Sequence, residues 1–319
     1  MQHHYEQWNR NPPPTDPSRR AFIPALSTGL LIALVLAALS FSVFQTAEHQ
    51  GRRAETDLRP TGALLNVVAD PAQETAVLRH EDAVRGAAWN ADESRILSWS
   101  DDATVRVWDA VSGEERLTLW HDSFVQGAAW NDDETRILSW SWDDTVRVWD
   151  AASGAEILTL PHGGTVWGAV WNADESRILS WSDDATARVW DAASGQERFV
   201  LRHDSIVYGA AWNAAASLIL SWSDDGAARV WDAASGQERF ALRHESYIYG
   251  AAWNADESRI LSWSRDGSAR VWDAASGATL LTLQHEISAN GAAWNADESL
   301  ILCWSGDGTA RGWDAASGK

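Results

Sequence analysis

The chain has 319 residues, a formal net charge of −20 and one lysine, Lys319, so nearly all of its positive charge is arginine. A negative balance of that size argues against a nucleic-acid backbone or an anionic lipid face as the main partner. Its one cysteine, Cys303, excludes an intrachain disulfide.

In chain order, residues 1–20 are polar, without apolar periodicity, and read as a disordered tail. Phe22 to Phe44 then runs without a charge. At 1.5 Å per residue this stretch reaches roughly 34 Å, enough for a hydrocarbon layer of ~30 Å. Residues 21–45 are therefore expected to form one transmembrane helix, with residues 22–44 in the membrane. A competing expectation is export. Arg19-Arg20 before the apolar run resembles a twin-arginine signal, with Ala38-Leu39-Ser40 as the nearest cleavage site. Arg10, Arg19 and Arg20 on one side balance Arg52, Arg53 and Arg59 on the other, and only the arginine pair abutting the span on its N-terminal side favours the expectation of an N-terminus inside and repeats outside the cytoplasm. Residues 46–71 form a linker of mixed charge.

From residue 72 the chain repeats. His80, His121, His162, His203, His244 and His285 stand 41 residues apart, and the Trp-Asp pairs from Trp108-Asp109 to Trp313-Asp314 keep that interval. Each repeat carries four strand patterns. In the first they are Val84–Trp89, Ile96–Ser100, Thr104–Trp108 and Arg116–Leu119, divided by the turns Asn90–Ser94, Asp101-Asp102 and Ser112-Gly113. Of the 22 tryptophans, three per repeat recur at fixed strand positions, as Trp89, Trp99 and Trp108 do, and are expected to form a shared indole wall between sheets.

A repeat of this length, with a histidine near its start and Trp-Asp near its end, resembles the WD-repeat family of β-propellers. The resemblance implies an all-β fold over residues 72–319, most simply six blades of four antiparallel strands behind the transmembrane helix. The stretch Gln73–His80 matches Gln196–His203, a fourth strand with the next histidine, and the chain ends where a further fourth strand would begin. The N-terminal strand is therefore expected to complete the last blade and close the ring. A seventh, degenerate blade from Ala63–Val68 is the alternative.

The resemblance also implies a hydrogen-bonded quartet in each blade. Matching residues are His80, Ser98, Asp102 and Trp108; His121, Ser139, Asp143 and Trp149; and His162, Ser180, Asp184 and Trp190. Next come His203, Ser221, Asp225 and Trp231; His244, Ser262, Asp266 and Trp272; and His285, Cys303, Asp307 and Trp313. A thiol is a weak hydrogen-bonding group, so the last quartet is expected to be the loosest. The family's glycine before the histidine is absent: Arg79, Trp120, Pro161, Arg202, Arg243 and Gln284 stand there. Recurrent Ser/His/Asp sets, five with serine and a sixth with Cys303, read as scaffold, since they satisfy one another when buried. Neither a nucleophile elbow, a phosphate loop nor a metal-ligand spacing occurs. No enzyme activity, cofactor, metal or small-molecule substrate is expected.

Three positions change freely from repeat to repeat. They are Ala83, Phe124, Thr165, Ile206, Tyr247 and Ser288; Arg85, Gln126, Trp167, Tyr208, Tyr249 and Asn290; and Asp101, Trp142, Asp183, Asp224, Arg265 and Gly306. The first two sets are placed on one strand face by the period of two, and the third lies in a turn at the same end. The rest of the repeat hardly varies, exposed turns such as Asn90–Ser94 included. Phe124, Trp142, Trp167, Tyr208, Tyr247 and Tyr249 are expected to form an aromatic patch for a protein or peptide, beside Gln126. Arg85, Arg265, Asp101, Asp183 and Asp224 are expected to make its charged rim. A membrane span followed by near-identical repeats resembles bacterial membrane-anchored WD-repeat proteins, which implies an interaction platform or sensor. The alternative is a structural envelope protein without a specific partner.

Overall fold

The computed structural model describes residues 76–319, and the tail, span and linker expected from the sequence lie outside them. Among the described residues no helix is long and apolar enough to cross a membrane. The chain folds into six antiparallel sheets in sequence order. The first consists of β1 (Val84–Trp89), β2 (Arg95–Ser100), β3 (Thr104–Asp109) and β4 (Glu115–Trp120), each paired with the next. The same four strands recur through the fifth sheet, whereas the sixth has three: Ala289–Trp294, Leu300–Ser305 and Ala310–Asp314.

Alternation in each second strand decides how the sheets stack. Leu138 and Trp140 face forward with Val146, Val148, Leu158 and Leu160, against Val166, Ala169, Ile178 and Trp190 of the third sheet. The joint between the fifth and sixth sheets repeats this pattern, with Leu261, Trp263 and Val271 against Ala289, Ala292 and Ile301. The indole wall holds for two of the three tryptophan sets. Those equivalent to Trp108 are buried in the first five sheets, as are Trp99, Trp181, Trp222 and Trp263. Trp89, at the end of the first strand, is 58% exposed. Its equivalents Trp130 and Trp171 instead lie under arginines of the preceding sheet, Arg95 and Arg136, each 4.6 Å from the ring centroid.

Two recurrent devices fix the blade. The second-strand indole lies flat on the first-strand glycine, so a Cβ at Gly209 would overlap the Trp222 ring, and the same holds in every sheet. A clamp then joins neighbouring sheets at the Asn90–Ser94 turn. Glu134 of the second sheet accepts from Asn90 Nδ2 at 2.8 Å, from the Ala91 amide at 2.6 Å and from Arg95 at 2.6 Å. Glu175, Glu257 and Glu298 grip the preceding Asn131, Asn213 and Asn254 in the same way. The fourth repeat carries Ala216 at this position, and Arg177 of the third sheet turns to the Ala233 carbonyl at 2.7 Å.

The expected closure is not seen. Ala76–His80 form no strand, and no strand pairs with the outer edge of Ala310–Asp314 among the described residues. Ala76 and Leu78 lie against Gly113, as Leu117 and Leu119 of β4 lie against Gly154. Arg106 donates to the Arg79 carbonyl at 3.0 Å, as Arg147 does to the Trp120 carbonyl. This segment thus occupies the place of a fourth strand before the first sheet, and those contacts hold it there whether or not a ring forms. The five joints all link consecutive sheets, with no comparable joint between the sixth and the first. Leu302 (50% exposed) and Trp304 (42%) face outward at one end, and Val84 (49%) and Trp89 do so at the other.

Candidate functional site

The quartets assemble in the first five sheets. In four of them the histidine Nδ1–H donates to its aspartate at 2.8–3.2 Å, while His203 Nδ1, 3.1 Å from Asp225, also lies 2.5 Å from the donor Arg229 Nη1. The serine hydroxyl lies 2.7–2.8 Å from histidine Nε2. It also accepts the tryptophan Nε1–H at 2.7–2.8 Å. Burial pulls the imidazoles of His80, His121, His162, His203 and His244 below the ordinary range, against the opposing pull of their aspartates, so they are neutral. Burial pushes Asp102 up, but hydrogen bonds from Thr104 and the Glu81 amide outweigh it and hold the carboxyl at about 2. All five serines are buried, so each hydroxyl spends its capacity inside the blade.

The sixth quartet is broken at the thiol. His285 Nδ1 and Nε2 and Trp313 Nε1 are buried without a hydrogen-bond partner among the described residues, and His285 stands 3.5 Å from Asp307. Burial pushes the Cys303 thiol up to about 12, so it stays protonated. The residues before the histidines close the fourth strands from Trp120 onward, and none has a positive φ, so no glycine is needed there.

The three variable positions do come together, though not through the period of two. The third residue after each histidine precedes the first strand, and its carbonyl accepts the amide of the variable turn residue, as in Asp101 to Ala83 and Trp142 to Phe124, both at 2.9 Å. The fifth is the extra residue of a β-bulge in every sheet: Val84 pairs with Ser100 and Gly86 with Trp99, leaving Arg85 unopposed. A bulge re-aims its side chain, here toward the turn.

Most of the expected charged rim is satisfied from within. Arg85 makes a bidentate pair with Asp101 at 2.6 and 2.7 Å. Tyr208 donates to Asp224 at 2.9 Å, and burial followed by this bond pushes its phenol up. Arg265 stacks 5.1 Å from the Tyr247 centroid. Tyr249 packs into the joint between the fifth and sixth sheets, and Gln126 is half-buried. Of the expected patch, Phe124, Trp142 and Trp167 are the rings in mutual contact, while Tyr247, equally exposed, carries Arg265. Phe124 and Trp142 lie 5.3 Å apart, and Trp142 meets Trp167 edge-on at 6.4 Å across the joint between the second and third sheets.

Two structural signals went unread in the sequence, the glycine in every first strand and the glutamate in every turn but one. The clamp also removes an inference drawn from constancy. The Asn90–Ser94 turns change little from copy to copy because most of them lock sheets together, so they are no neutral standard for drift at the rim.

The WD domain, G-beta repeat family model matches residues 72–109, 113–150, 154–191, 195–232 and 236–273, and the matched ranges stop before the sixth quartet. Each match opens on the outer strand ahead of the histidine, the phase in which Ala76–His80 attach to the first sheet. Similar solved structures include the computationally designed Ika8 protein, at a TM-score of 0.63 and 26% identity over 78% of this chain and 76% of that one. No curated protein matches.

Proposed function

The chain belongs to the WD-repeat family, and from that premise we propose that it is a membrane-anchored, non-enzymatic platform or sensor whose rim captures a protein or peptide. WD repeats generally mediate protein–protein interaction or scaffolding. The observation that carries the reading is the Phe124–Trp142–Trp167 cluster. Its exposed members, Trp142 (40%) in the turn and Phe124 (37%) in the residue just before the first strand, stand at positions that vary on a chain that otherwise repeats itself. Exposed aromatics of this kind anchor interfaces. The non-enzymatic reading is supported by the quartet serines, which are buried and engaged by tryptophan and histidine. Anchoring through residues 22–44, with the repeats outside the cytoplasm, rests on the apolar run and its arginine flank.

One experiment addresses partner and side together. With a membrane-impermeant cross-linker on intact cells, the wild type is expected to capture a partner. Phe124→Ala combined with Trp142→Ala should capture it at least about ten-fold less, at an unchanged melting temperature. Undiminished capture by the double variant would remove the rim reading. Capture that appears only after lysis would place the repeats inside.

A further inference from the structure

We propose that the rim across the second and third sheets takes a cationic side chain, the guanidinium or ammonium of a peptide partner, against Trp142 and Trp167 beside Asp183. This rests on the rim being a recognition surface and names what that surface prefers. The molecule supplies its own templates. In the first sheet the rim carboxylate Asp101 is neutralised by the guanidinium of Arg85, from the bulge position. In the fourth, Asp224 is met by the hydroxyl of Tyr208 from that same position. In the fifth, the guanidinium of Arg265 lies over the ring of Tyr247.

In the third sheet Asp183 holds the turn position of Asp101 and Trp167 the bulge position of Arg85, with Trp142 against Trp167 across the joint. Trp167 has no charge to offer Asp183, and no arginine, lysine or histidine pairs with that carboxylate among the described residues. Asp144, unique to the second repeat at its place in the turn, adds a further carboxylate across the same joint. Burial first, then Asp144 and Asp184, raise the Asp183 carboxyl above its ordinary range, as expected of like charges lacking a counterion. Only the third repeat has Gly163-Gly164 after its histidine, and a Cβ on Gly164 would overlap Asp183 Oδ1. The carboxylate thus fills space that a side chain takes elsewhere. A cation between an indole face and a carboxylate satisfies both, and a peptide on a protein of net charge −20 is drawn in the same sense.

The test uses the full-length protein in a non-ionic detergent at physiological salt and follows the anisotropy of short fluorescein-labelled glycine peptides bearing arginine, glutamine or glutamate. Saturable binding of the arginine peptide is expected, weakened about ten-fold by Asp183→Asn and by Trp142→Ala. Asp132→Asn, in an exposed turn at the opposite end of the blade, should leave it unchanged. Equal weakening by Asp132→Asn and Asp183→Asn would reduce the effect to bulk charge and overturn the proposal. A glutamine peptide that binds as well as the arginine peptide, and loses binding in Trp142→Ala, would overturn it while leaving the rim reading intact. Binding of none of the peptides would overturn it too, and the rim reading would then be decided by the cross-linking experiment alone.

Discussion

A single sulfur atom separates the sixth quartet from the other five. Where Ser221 lies 2.7 Å from His203 and accepts from Trp231 at 2.8 Å, Cys303 does neither, leaving His285 Nε2 and Trp313 Nε1 buried and unpaired among the described residues. Cys303→Ser supplies the missing donor and acceptor at a fully buried position. It is expected to raise unfolding free energy by about 1–2 kcal/mol in urea denaturation, and a loss of stability would show that the site has relaxed around sulfur. The neutral imidazoles set a pH dependence. Their folded pKa values lie below the unfolded value of about 6.5, so between those limits the unfolded chain binds more protons and stability rises with pH. The contribution is complete above the unfolded value. Below it, stability should fall by as much as about 1.4 kcal/mol per pH unit for each buried histidine. Denaturation midpoints that stay flat from pH 7 to pH 5, values chosen to span roughly that window, would mean the imidazoles titrate in the fold as they do in the unfolded chain. The quartet residue types were legible in the sequence. Their bonding was implied only by family resemblance, because residues 18 to 24 apart meet only once strands are paired.

At the scale of the element, the clamp shows how one turn serves two sheets. Glu134, Glu175, Glu257 and Glu298 hold a left-handed backbone (φ 56–59°) that side chains other than glycine enter at some cost. Ala216 holds nearly the same backbone (φ 50°) without the carboxylate. Ala216→Glu should therefore add the missing grip on Asn172 and the Ala173 amide with little new strain, gaining about 1 kcal/mol in unfolding free energy. A variant no more stable than the wild type would show that Arg177, bonded to the Ala233 carbonyl, already does the same work. Strand positions were readable from the alternation of apolar and polar residues, to within a residue or two of Val84–Trp89 and its companions. The bulge at Arg85 was not, because an extra residue leaves no mark on composition. It appears only when Val84 and Gly86 are seen against consecutive residues of β2.

At the scale of the molecule, two apolar faces lie uncovered among the described residues where the repeat rule would have them meet. Glu93 has the left-handed backbone of a clamp residue and Asn295 the place of its partner, yet Asn295 bonds only within its own turn. The two ends can be compared by mutation. Leu220, fully buried at an internal joint, is expected to cost about 2–5 kcal/mol on change to alanine. Leu302, its half-exposed counterpart on the sixth sheet, should cost less than about 1 kcal/mol. Equal losses in denaturant titrations would mean that the last face is covered in solution, by ring closure or by another chain.

The sequence by itself determined the blade. A period of 41 residues, with alternating strands and turn residues at fixed offsets, permits one sheet repeated and stacked, since no single copy can bury its own tryptophans. What tertiary structure alone decided is which polar groups find one another. Arg85, Asp101 and Asp224 read as rim charges along the chain and Tyr208 as part of an aromatic patch, but a bulge and a turn bring Arg85 to Asp101 and Tyr208 to Asp224 within bonding distance. Phe124, Trp142 and Trp167, drawn from two sheets, become one cluster only across a joint. Local pattern is set by neighbours along the chain, whereas satisfaction of charge is set by neighbours in space.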